Sequence, residues 1–171
     1  MSRVIIFSVV FLLCALLSTS ASAASKRPVD VWNYYHFDGS AFAPGPAVDG
    51  TAFIAVQQKV QPVVLTAPSE RIEQAVLPDG SGAIAGICYL QSSGGKLGGS
   101  RGFKPFPHVP LLISASGKHF VTIQNDDHGY FVVVLPAGTY SVASGPFTAD
   151  VTVERGITTL VPLRGGKRMV D

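Results

Sequence analysis

The stretch that decides the fold runs Asn125-Asp126-Asp127-His128-Gly129-Tyr130-Phe131-Val132-Val133-Val134-Leu135-Pro136-Ala137-Gly138-Thr139-Tyr140. Asp126 and Gly129 suit a tight turn, because Asp binds nearby backbone amides and Gly adopts positive φ at no steric cost. The β-branched and aromatic residues after this turn predict a strand, and Pro136 and Gly138 predict a second turn before the next strand. Because Tyr130–Leu135 is apolar at every position, we expect this strand in the middle of a sheet, covered on both faces.

The same alternation of strand-forming runs and turn residues continues on both sides of this stretch. Turn signals at such regular spacing are typical of antiparallel β-sandwiches. We therefore predict an all-β, Greek-key antiparallel β-sandwich of about seven strands at 81–164, with a long loop at Ser92–Pro107 and a C-terminal tail at 165–171. The predicted strands are Ala83–Leu90, Val109–Ala115, His119–Gln124, Tyr130–Leu135, Thr139–Ser144, Phe147–Glu154 and Ile157–Leu163.

The chain begins with the features of a secretory signal peptide. Arg3 supplies a positive charge, Val4–Leu17 is almost uninterrupted apolar sequence, and Ala21-Ser22-Ala23 has the small residues of a cleavage site. The apolar run is shorter than the roughly 20 residues that a spanning helix needs. We therefore predict a signal peptide at 1–23 and no spanning membrane segment after its removal. The mature protein would be exported to the periplasm or the extracellular space.

Residues 24–80 carry additional strand signals and an aromatic cluster. Phe53–Val56 and Val63–Leu65 are β-prone runs with polar residues between them, so we predict two strands there. Ser69–Leu77 fits either a short helix or another strand, because its periodicity does not separate the two. We expect a partly structured β segment in front of the sandwich, separated from it by the turn residues Pro78–Gly82.

Composition and charge exclude several classes of function. Without residues 1–23 the 171-residue chain keeps 148 residues, and without Arg3 it keeps 12 of its 13 basic side chains against 11 acidic ones, a net charge of +1. This balance provides no field for nucleic-acid binding and no strong attraction to an anionic membrane. Cys14 leaves with the signal peptide, so Cys88 has no internal disulfide partner and is predicted to be a small buried apolar residue.

The sequence contains no constellation that is typical of catalysis or metal binding. Asn125–Asp127 has the oxygen ligands that Ca²⁺ prefers, but the EF-hand spacing is absent, so turn formation is the favoured interpretation. Gly98–Gly102 spells Gly-x-Ser-x-Gly, yet no helix can start in the Pro-containing sequence that follows. We therefore expect no enzymatic activity, no metal and no cofactor. Neither His-x-His nor His-Glu-x-x-His occurs among the histidines, His36, His108, His119 and His128.

An aromatic run near the start of the mature chain is the candidate binding surface. If Val31–Phe37 is extended, Trp32, Tyr34 and His36 lie on one face, and Tyr35 and Phe37 lie on the other. Planar rings displayed on a sheet can stack on sugar rings or anchor a protein partner. The alternative is that the rings bury themselves against the sandwich and attach the N-terminal segment to it. The candidate ligand-binding residues are Trp32, Tyr34, Tyr35 and His36.

Four local patterns of the predicted sandwich occur together in one known family. They are a strand that alternates around a Gly, an Asp-x-x-Gly-x-Phe turn, a Leu-Pro-x-Gly-x-Tyr corner and a closing hairpin, at Gly82–Ile87, Asp126–Phe131, Leu135–Tyr140 and Val151–Leu163. In this order they resemble the carboxypeptidase regulatory-like domains, relatives of the transthyretin-like (prealbumin-like) seven-stranded β-sandwiches. The resemblance covers about residues 82–164. The loop after the first strand is longer than is usual in the family, and residues 24–80 lie outside the pattern.

The resemblance implies a sandwich without catalytic activity, because this family of accessory domains carries neither metal ligands nor catalytic residues. We therefore expect a structural or protein-interaction module of the cell envelope or the extracellular space, with a protein partner there. The alternative is a carbohydrate-binding module that takes a polysaccharide on the Trp32/Tyr34 face. Neither interpretation involves nucleic acid.

Overall fold

The computed structural model describes residues 31–45, 52–60, 63–65, 76–94 and 102–170. The predicted signal peptide and most of the Ser69–Leu77 segment lie outside these residues. The described part of the chain is all-β, which confirms the predicted fold class. It holds no helix that is long and apolar enough to cross a bilayer.

Twelve strands make up the described part of the chain. The seven strands predicted for the sandwich are all present, and a further short strand lies in the segment that was expected to be a loop. In chain order the strands are β1 (Asn33–Phe37), β2 (Phe42–Pro44), β3 (Phe53–Val56), β4 (Val63–Leu65), β5 (Ser81–Gly94), β6 (Gly102–Pro105), β7 (Pro110–Ala115), β8 (Lys118–Gln124), β9 (Tyr130–Pro136), β10 (Gly138–Ser144), β11 (Phe147–Val153) and β12 (Thr158–Val170).

Two sheets form the sandwich. In the first sheet, β12 lies on one side of β5, while β9 and β6 share the other side and pair with Ser81–Ile87 and Tyr89–Ser92 of β5, respectively. The second sheet has the order β11-β10-β7-β8. Because β7 and β8 form a hairpin, β9 crosses to the first sheet and β10 returns beside β7, these four strands form a Greek key.

The pairing of β5 with β12 is parallel, which differs from the purely antiparallel sandwich expected from the sequence. The ladder starts where the turn after β11 contacts the start of β5. There the amide of Gly156 donates to the carbonyl of Ser81 at 2.7 Å, and the amide of Ala83 donates to the carbonyl of Ile157 at 2.9 Å. Parallel neighbours need a long crossover connection, and the whole chain from β6 to β11 supplies it here.

The sandwich extends further along the chain than the sequence indicates. β12 continues to Val170, so residues 165–170 pair with β5 rather than forming the expected tail. β5 continues to Gly94 and pairs with β6, so residues 92–94 and 102–105 of the predicted Ser92–Pro107 loop are strand. Both segments lack regular hydrophobic alternation, and their strand structure depends on pairing with β5.

β9 is covered on both faces, as its apolar sequence indicates, but the predicted position in the middle of a sheet is wrong. Among the described residues it pairs with β5 alone. Phe131, Val133 and Leu135 face the interior of the sandwich, whereas Tyr130 and Val132 face the N-terminal strands. The apolar character of β9 therefore reflects two packing layers and not two hydrogen-bonded neighbours.

The space between the two sandwich sheets is filled mostly by aliphatic side chains, which we call the aliphatic core. Gly86 is needed beside it, because a Cβ at this position would lie 2.6 Å from the ring of Phe131. The Tyr140 hydroxyl donates to the carbonyl of Pro136 at 2.9 Å and so closes the corner between β9 and β10. The buried members of this core are Ile84, Cys88, Leu111, Ile113, Phe131, Leu135, Tyr140, Val142, Val151, Val153, Val161 and Leu163.

The N-terminal strands form a third sheet, of order β2-β1-β3-β4, on the opposite face of the first sandwich sheet. The ring of Phe37 lies 4.6 Å from the ring of Tyr89 and 4.7 Å from that of Phe103, measured between centroids. β5 is therefore buried on both faces from Gly82 to Tyr89. We call this second cluster the aromatic core; its buried members are Phe37, Ala52, Ile54, Val56, Ala85, Ile87, Tyr89 and Tyr130.

Candidate interaction surfaces

The structure places the four predicted binding residues in different environments. Tyr35 packs against the aromatic core, on the same face of β1 as Phe37. Tyr34 and His36 alternate to the outer face, where Tyr34 is 36% exposed. The Nδ1 of the half-buried His36 ring donates to the carbonyl of Gly45 at 3.1 Å. Trp32, just before β1, is half-buried.

The outer face of β1 does not present a flat aromatic platform. The rings of Tyr34 and Phe53 meet edge to face, with centroids 5.9 Å apart and planes inclined by 65°. A sugar ring stacks on an accessible ring face, and two rings at this inclination do not offer one shared plane. Binding of a ligand by Trp32, Tyr34, Tyr35 and His36 stays a prediction.

Asn125, the first residue of the fold-deciding turn, has a structural role. Its Oδ1 accepts a hydrogen bond from the amide of Val109 at 2.6 Å. Its Nδ2 donates to the carbonyl oxygens of Phe106 at 2.7 Å and Gly129 at 3.1 Å. The side chain is buried and fully bonded, as a buried amide must be if it is not to destabilise the fold.

Asp126 completes the turn. Its Oδ1 accepts hydrogen bonds from the amides of His128 at 2.9 Å and Tyr130 at 2.8 Å, and Gly129 follows with φ of +79°. The Nε2 of His108 lies 2.8 Å from Oδ1 of Asp127, and both side chains are exposed, so this contact contributes little to stability. These bonds agree with turn formation as the role of the polar residues.

The edge of the second sandwich sheet at β8 is accessible to solvent. Among the described residues β8 pairs with β7 alone, and the register shifts at Phe120, so the regular alternation of outward amides and carbonyls holds from Val121 to Gln124. Phe120 on β8 is 49% exposed. Leu112 lies on β7, opposite Thr122 of β8, and is 46% exposed. From His119 to Asn125 the sequence contains no Lys, Arg, Asp, Glu or Pro. We call β8 together with Leu112 the β8 edge.

On the other side of the sandwich the two edge strands, β11 and β12, contact each other through a side chain, without ladder pairing among the described residues. The Thr159 hydroxyl of β12 donates to the Thr152 carbonyl of β11 at 3.0 Å, which bonds the two sheets to each other. β12 also contains Pro162, which has no amide donor, and Arg164, whose side chain is exposed. Pro and charged residues on an edge strand prevent pairing with a further chain.

Within the described ranges, no group of three or more His, Cys, Asp or Glu side chains is arranged to hold a metal ion. Cys88 is fully buried in the aliphatic core, and this burial raises the pKa of its thiol to about 12. A thiol reacts as its thiolate, so Cys88 is inert near neutral pH. The prediction that Cys88 is a buried apolar residue is confirmed.

Sequence reasoning missed two features of the surface. Leu112 and Phe120 lie in predicted strands, but the position of a strand at an edge depends on sheet order; the charge-free run after Lys118 is the one local signal. Lys59 and Arg155 line the same cleft. They are far apart in the chain and belong to two different turns, so no spacing rule connects them.

The comparisons with known proteins leave the family open. No protein-family model matches the sequence, and no curated protein matches it significantly. Among solved structures, the chain is similar to the minor pilin GBS52 of the Gram-positive pathogen Streptococcus agalactiae, at a TM-score of 0.42 and 12% identity. The match covers 76% of this chain and 66% of that chain, just under two thirds of the pilin. At this TM-score nothing follows for function, and the β-sandwich is established by the sheets themselves.

Proposed function

We propose that this protein is an exported, non-catalytic β-sandwich that acts as an interaction module of the cell envelope or the extracellular space. Its partner is another protein there, which adds an extended segment to the β8 edge. The observation that carries the proposal is the contrast between the two edges of the sandwich. Among the described residues β8 pairs on one side only and carries no charged residue beyond Lys118, whereas the Thr159 hydroxyl joins β12 to β11 and β12 carries Pro162 and the exposed Arg164.

Strand addition fits the chemistry of this edge. A peptide beside β8 would bond to the outward amides and carbonyls of alternate residues between Val121 and Gln124, where the register is regular, and these main-chain bonds supply affinity. Phe120 and Leu112 would bury apolar side chains of the partner, since exposed aromatic residues are enriched at the centres of interfaces. Arg or Lys on the partner would gain no counter-charge between His119 and Gln124. We therefore expect an extended, uncharged partner segment.

The sequence features support export and the absence of catalysis. The signal at 1–23 accounts for export. The four motifs that resemble carboxypeptidase regulatory-like domains coincide with β5, the turn before β9, the corner between β9 and β10, and the hairpin of β11 and β12. In that family the module accompanies an enzyme without taking part in its chemistry, which favours a docking role here.

Photo-cross-linking in intact producing cells tests the proposal. A photoreactive amino acid replaces Thr122, which is exposed on β8, and in a matched variant it replaces Thr148, which is exposed on β11 of the same sheet. We expect a covalent adduct with one other protein from position 122 and none from position 148. No adduct at 122, equal adducts at both positions, or an adduct only with a second copy of this chain would contradict the proposal.

A charge placed on the edge provides a second test. Thr122→Lys should abolish co-purification of the cross-linked partner, because a lysine on an edge strand disfavours pairing. Thr148→Lys, with the same change on β11, should leave co-purification intact. Both variants should keep the melting temperature of the parent protein, since both sites are exposed. Recovery of glycan without a protein partner would favour the alternative, a carbohydrate-binding module that uses Trp32 and Tyr34.

A further inference from the structure

A cleft of ≈ 330 Å³ lies between three turn segments at one end of the sandwich. Lys59 comes from the connection between β3 and β4, Val76–Ser81 leads into β5, and Arg155 and Gly156 belong to the turn between β11 and β12. We propose that this cleft binds a carboxylate-bearing ligand of monosaccharide size, such as a uronic acid. The cleft shares no residue with the β8 edge, so this site and the proposed docking can fail independently.

The charges that line the cleft favour a single negative charge on the ligand. Lys59 and Arg155 are the cationic side chains of the lining, and Asp79 is its carboxylate, which leaves one positive charge in excess. Glu154 is exposed next to Arg155 and outside the lining. A guanidinium binds a carboxylate through two parallel hydrogen bonds, and a lysine ammonium adds a point charge beside it.

Hydrogen bonds between the three segments hold the walls of the cleft in place. The amide of Lys59 donates to the carbonyl of Gly156 at 2.8 Å, and the amide of Gly156 donates to the carbonyl of Ser81 at 2.7 Å. The amide of Leu77 donates to the carbonyl of Lys59 at 3.2 Å. Each wall is therefore bonded to another before any ligand arrives, and such preorganisation reduces the entropy lost on binding.

The backbone of Lys59 is in the left-handed conformation, which is sterically unfavourable for a residue with a Cβ atom. Its φ is +63°, in the left-handed region that residues with a Cβ rarely occupy. Such conformations persist where surrounding bonds impose them, and they are concentrated at ligand sites. Gly156 provides the room, because a Cβ at that position would lie 3.1 Å from Cγ of Lys59. The hydrogen bonds of this turn thus fix the position of the Lys59 backbone, from which the side chain extends.

The size and the remaining lining agree with a sugar acid. Small-ligand sites occupy about 300–1,000 Å³, and this cleft is at the lower end of that range. Leu77 and Pro78 supply an apolar wall, and Ser81 supplies a polar position at the start of β5. A uronic acid combines a carboxylate, hydroxyl groups and an apolar C–H face, which match the cations, Ser81 and the apolar wall in turn.

Titration of the ¹⁵N-labelled protein with glucuronate, followed by amide chemical shifts at low ionic strength, tests the proposal. Low salt is needed because exposed cations are screened within about 10 Å at 0.1 M salt. We expect saturable shifts at Asp79–Ser81 and Arg155–Gly156, and none of them with neutral glucose. Absence of saturable shifts at these amides, or equal shifts with glucose, would overturn the proposal.

Variants of the two cations link the shifts to the cleft. Lys59→Gln combined with Arg155→Gln should raise the Kd for glucuronate at least about tenfold, whereas Arg155→Lys should raise it less. Lys104→Gln removes an exposed lysine that lies neither in the cleft nor at the β8 edge and should leave the Kd unchanged. An unchanged Kd in the double variant, with the spectrum of a folded protein, would overturn the proposal.

The same titration separates a free sugar acid from a unit of a polysaccharide. Galacturonate and a galacturonate oligomer carry the same carboxylate, and shifts of the cleft amides with either one support the site. A much tighter oligomer complex, still lost in the double variant, would assign the source as an acidic polysaccharide. Oligomer binding that survives in the double variant would place the contact elsewhere on the surface and overturn the proposal.

Discussion

The two faces of β5 contact two cores of different chemistry. Ile84 and Cys88 face the aliphatic core inside the sandwich, while Ala85 and Ile87 face the aromatic core beneath the N-terminal sheet. The aliphatic core is built from one contiguous part of the chain, from β5 to β12. The aromatic core joins that part to β1 and β3. These two strands precede Ser69–Leu77, a segment whose sequence periodicity does not separate helix from strand.

The first sandwich sheet is therefore attached to its two neighbouring sheets in different ways. The aliphatic core interdigitates many branched side chains from two long sheets, so its stability is shared among many residues. The aromatic core relies on a few large rings, and the Tyr130 hydroxyl adds a hydrogen bond to the carbonyl of Ala52 at 3.0 Å. Each ring buries a large area on a sheet whose outer strands β2 and β4 have three residues each. We therefore expect the N-terminal sheet to open before the sandwich does.

The largest effect should follow from removing Phe131, whose ring packs over Gly86 in the aliphatic core. Phe131→Ala should lower the free energy of unfolding by about 3–5 kcal/mol, because it removes a buried ring and leaves a cavity. Urea denaturation followed by circular dichroism measures this loss. Phe120→Ala, at a half-exposed site, should lower it by less than about 1.5 kcal/mol. Equal losses in both variants would contradict the placement of Phe131.

Phe37→Ala tests whether the two cores are separate cooperative units. It removes the ring that contacts Tyr89 and Phe103, and it should weaken the N-terminal sheet by about 3 kcal/mol. Hydrogen exchange should accelerate at the amides of β1 and β3 while those of β7 and β10 keep their protection. A uniform acceleration in all four strands would show that both cores unfold together.

Alkaline pH should destabilise the protein through one buried group in each core. The pKa of Cys88 is raised from 9.0 to about 12 by burial. That of Tyr130 is raised from 10.0 to about 12, chiefly by burial and then by the nearby Asp126. Below pH 9 the thiol is neutral in both states, so its contribution is fully present; above pH 9 the unfolded chain ionises first, and stability falls until the folded pKa is reached.

Comparison with Cys88→Ala isolates the effect of the thiol. Between pH 8 and pH 11 the parent protein should lose about 2 kcal/mol more of its free energy of unfolding than this variant loses. Ionisation of Tyr130 should also lower the free energy of unfolding of the parent protein, starting near pH 10, and Tyr130→Phe should remove this contribution. Urea denaturation at both pH values measures these differences, and parallel pH profiles in parent and variant would refute the assignment.

A smaller effect on stability than that of Phe131 or Phe37 should come from Trp32, which precedes β1 and is only half-buried. Trp32→Ala should lower the free energy of unfolding by less than about 1 kcal/mol, and it should abolish any polysaccharide binding that depends on this face. Thermal melting and affinity electrophoresis in polysaccharide gels give the two readouts. A decrease in melting temperature as large as that of Phe37→Ala would show that Trp32 belongs to the aromatic core and would exclude a sugar platform.

Turn and strand patterns over a few residues allowed the sandwich to be predicted. The candidate surfaces depend on the order in which the strands pair, which such patterns do not indicate. Asp126, Gly129 and Tyr140 form the turns expected of them, because these bonds join residues close in sequence. The apolar run of β9 indicated two covered faces, yet its second face is covered by the N-terminal sheet and not by a neighbour in its own sheet. Tyr35 shows the same limit, since alternation separates it from Tyr34 without indicating which face is buried.

By itself the sequence determined the first part of β5, the strand and turn pattern from β7 to Leu163 of β12, and the apolar character of the central strands. These properties follow from side-chain shape, backbone preference and period-two alternation, which act over a few residues. The tertiary structure alone decided that β12 pairs in parallel with β5, that β8 is left at an open edge, and that Lys59 and Arg155 line one cleft. Each of these depends on contacts between residues that are distant in the chain, and local sequence patterns do not predict such contacts.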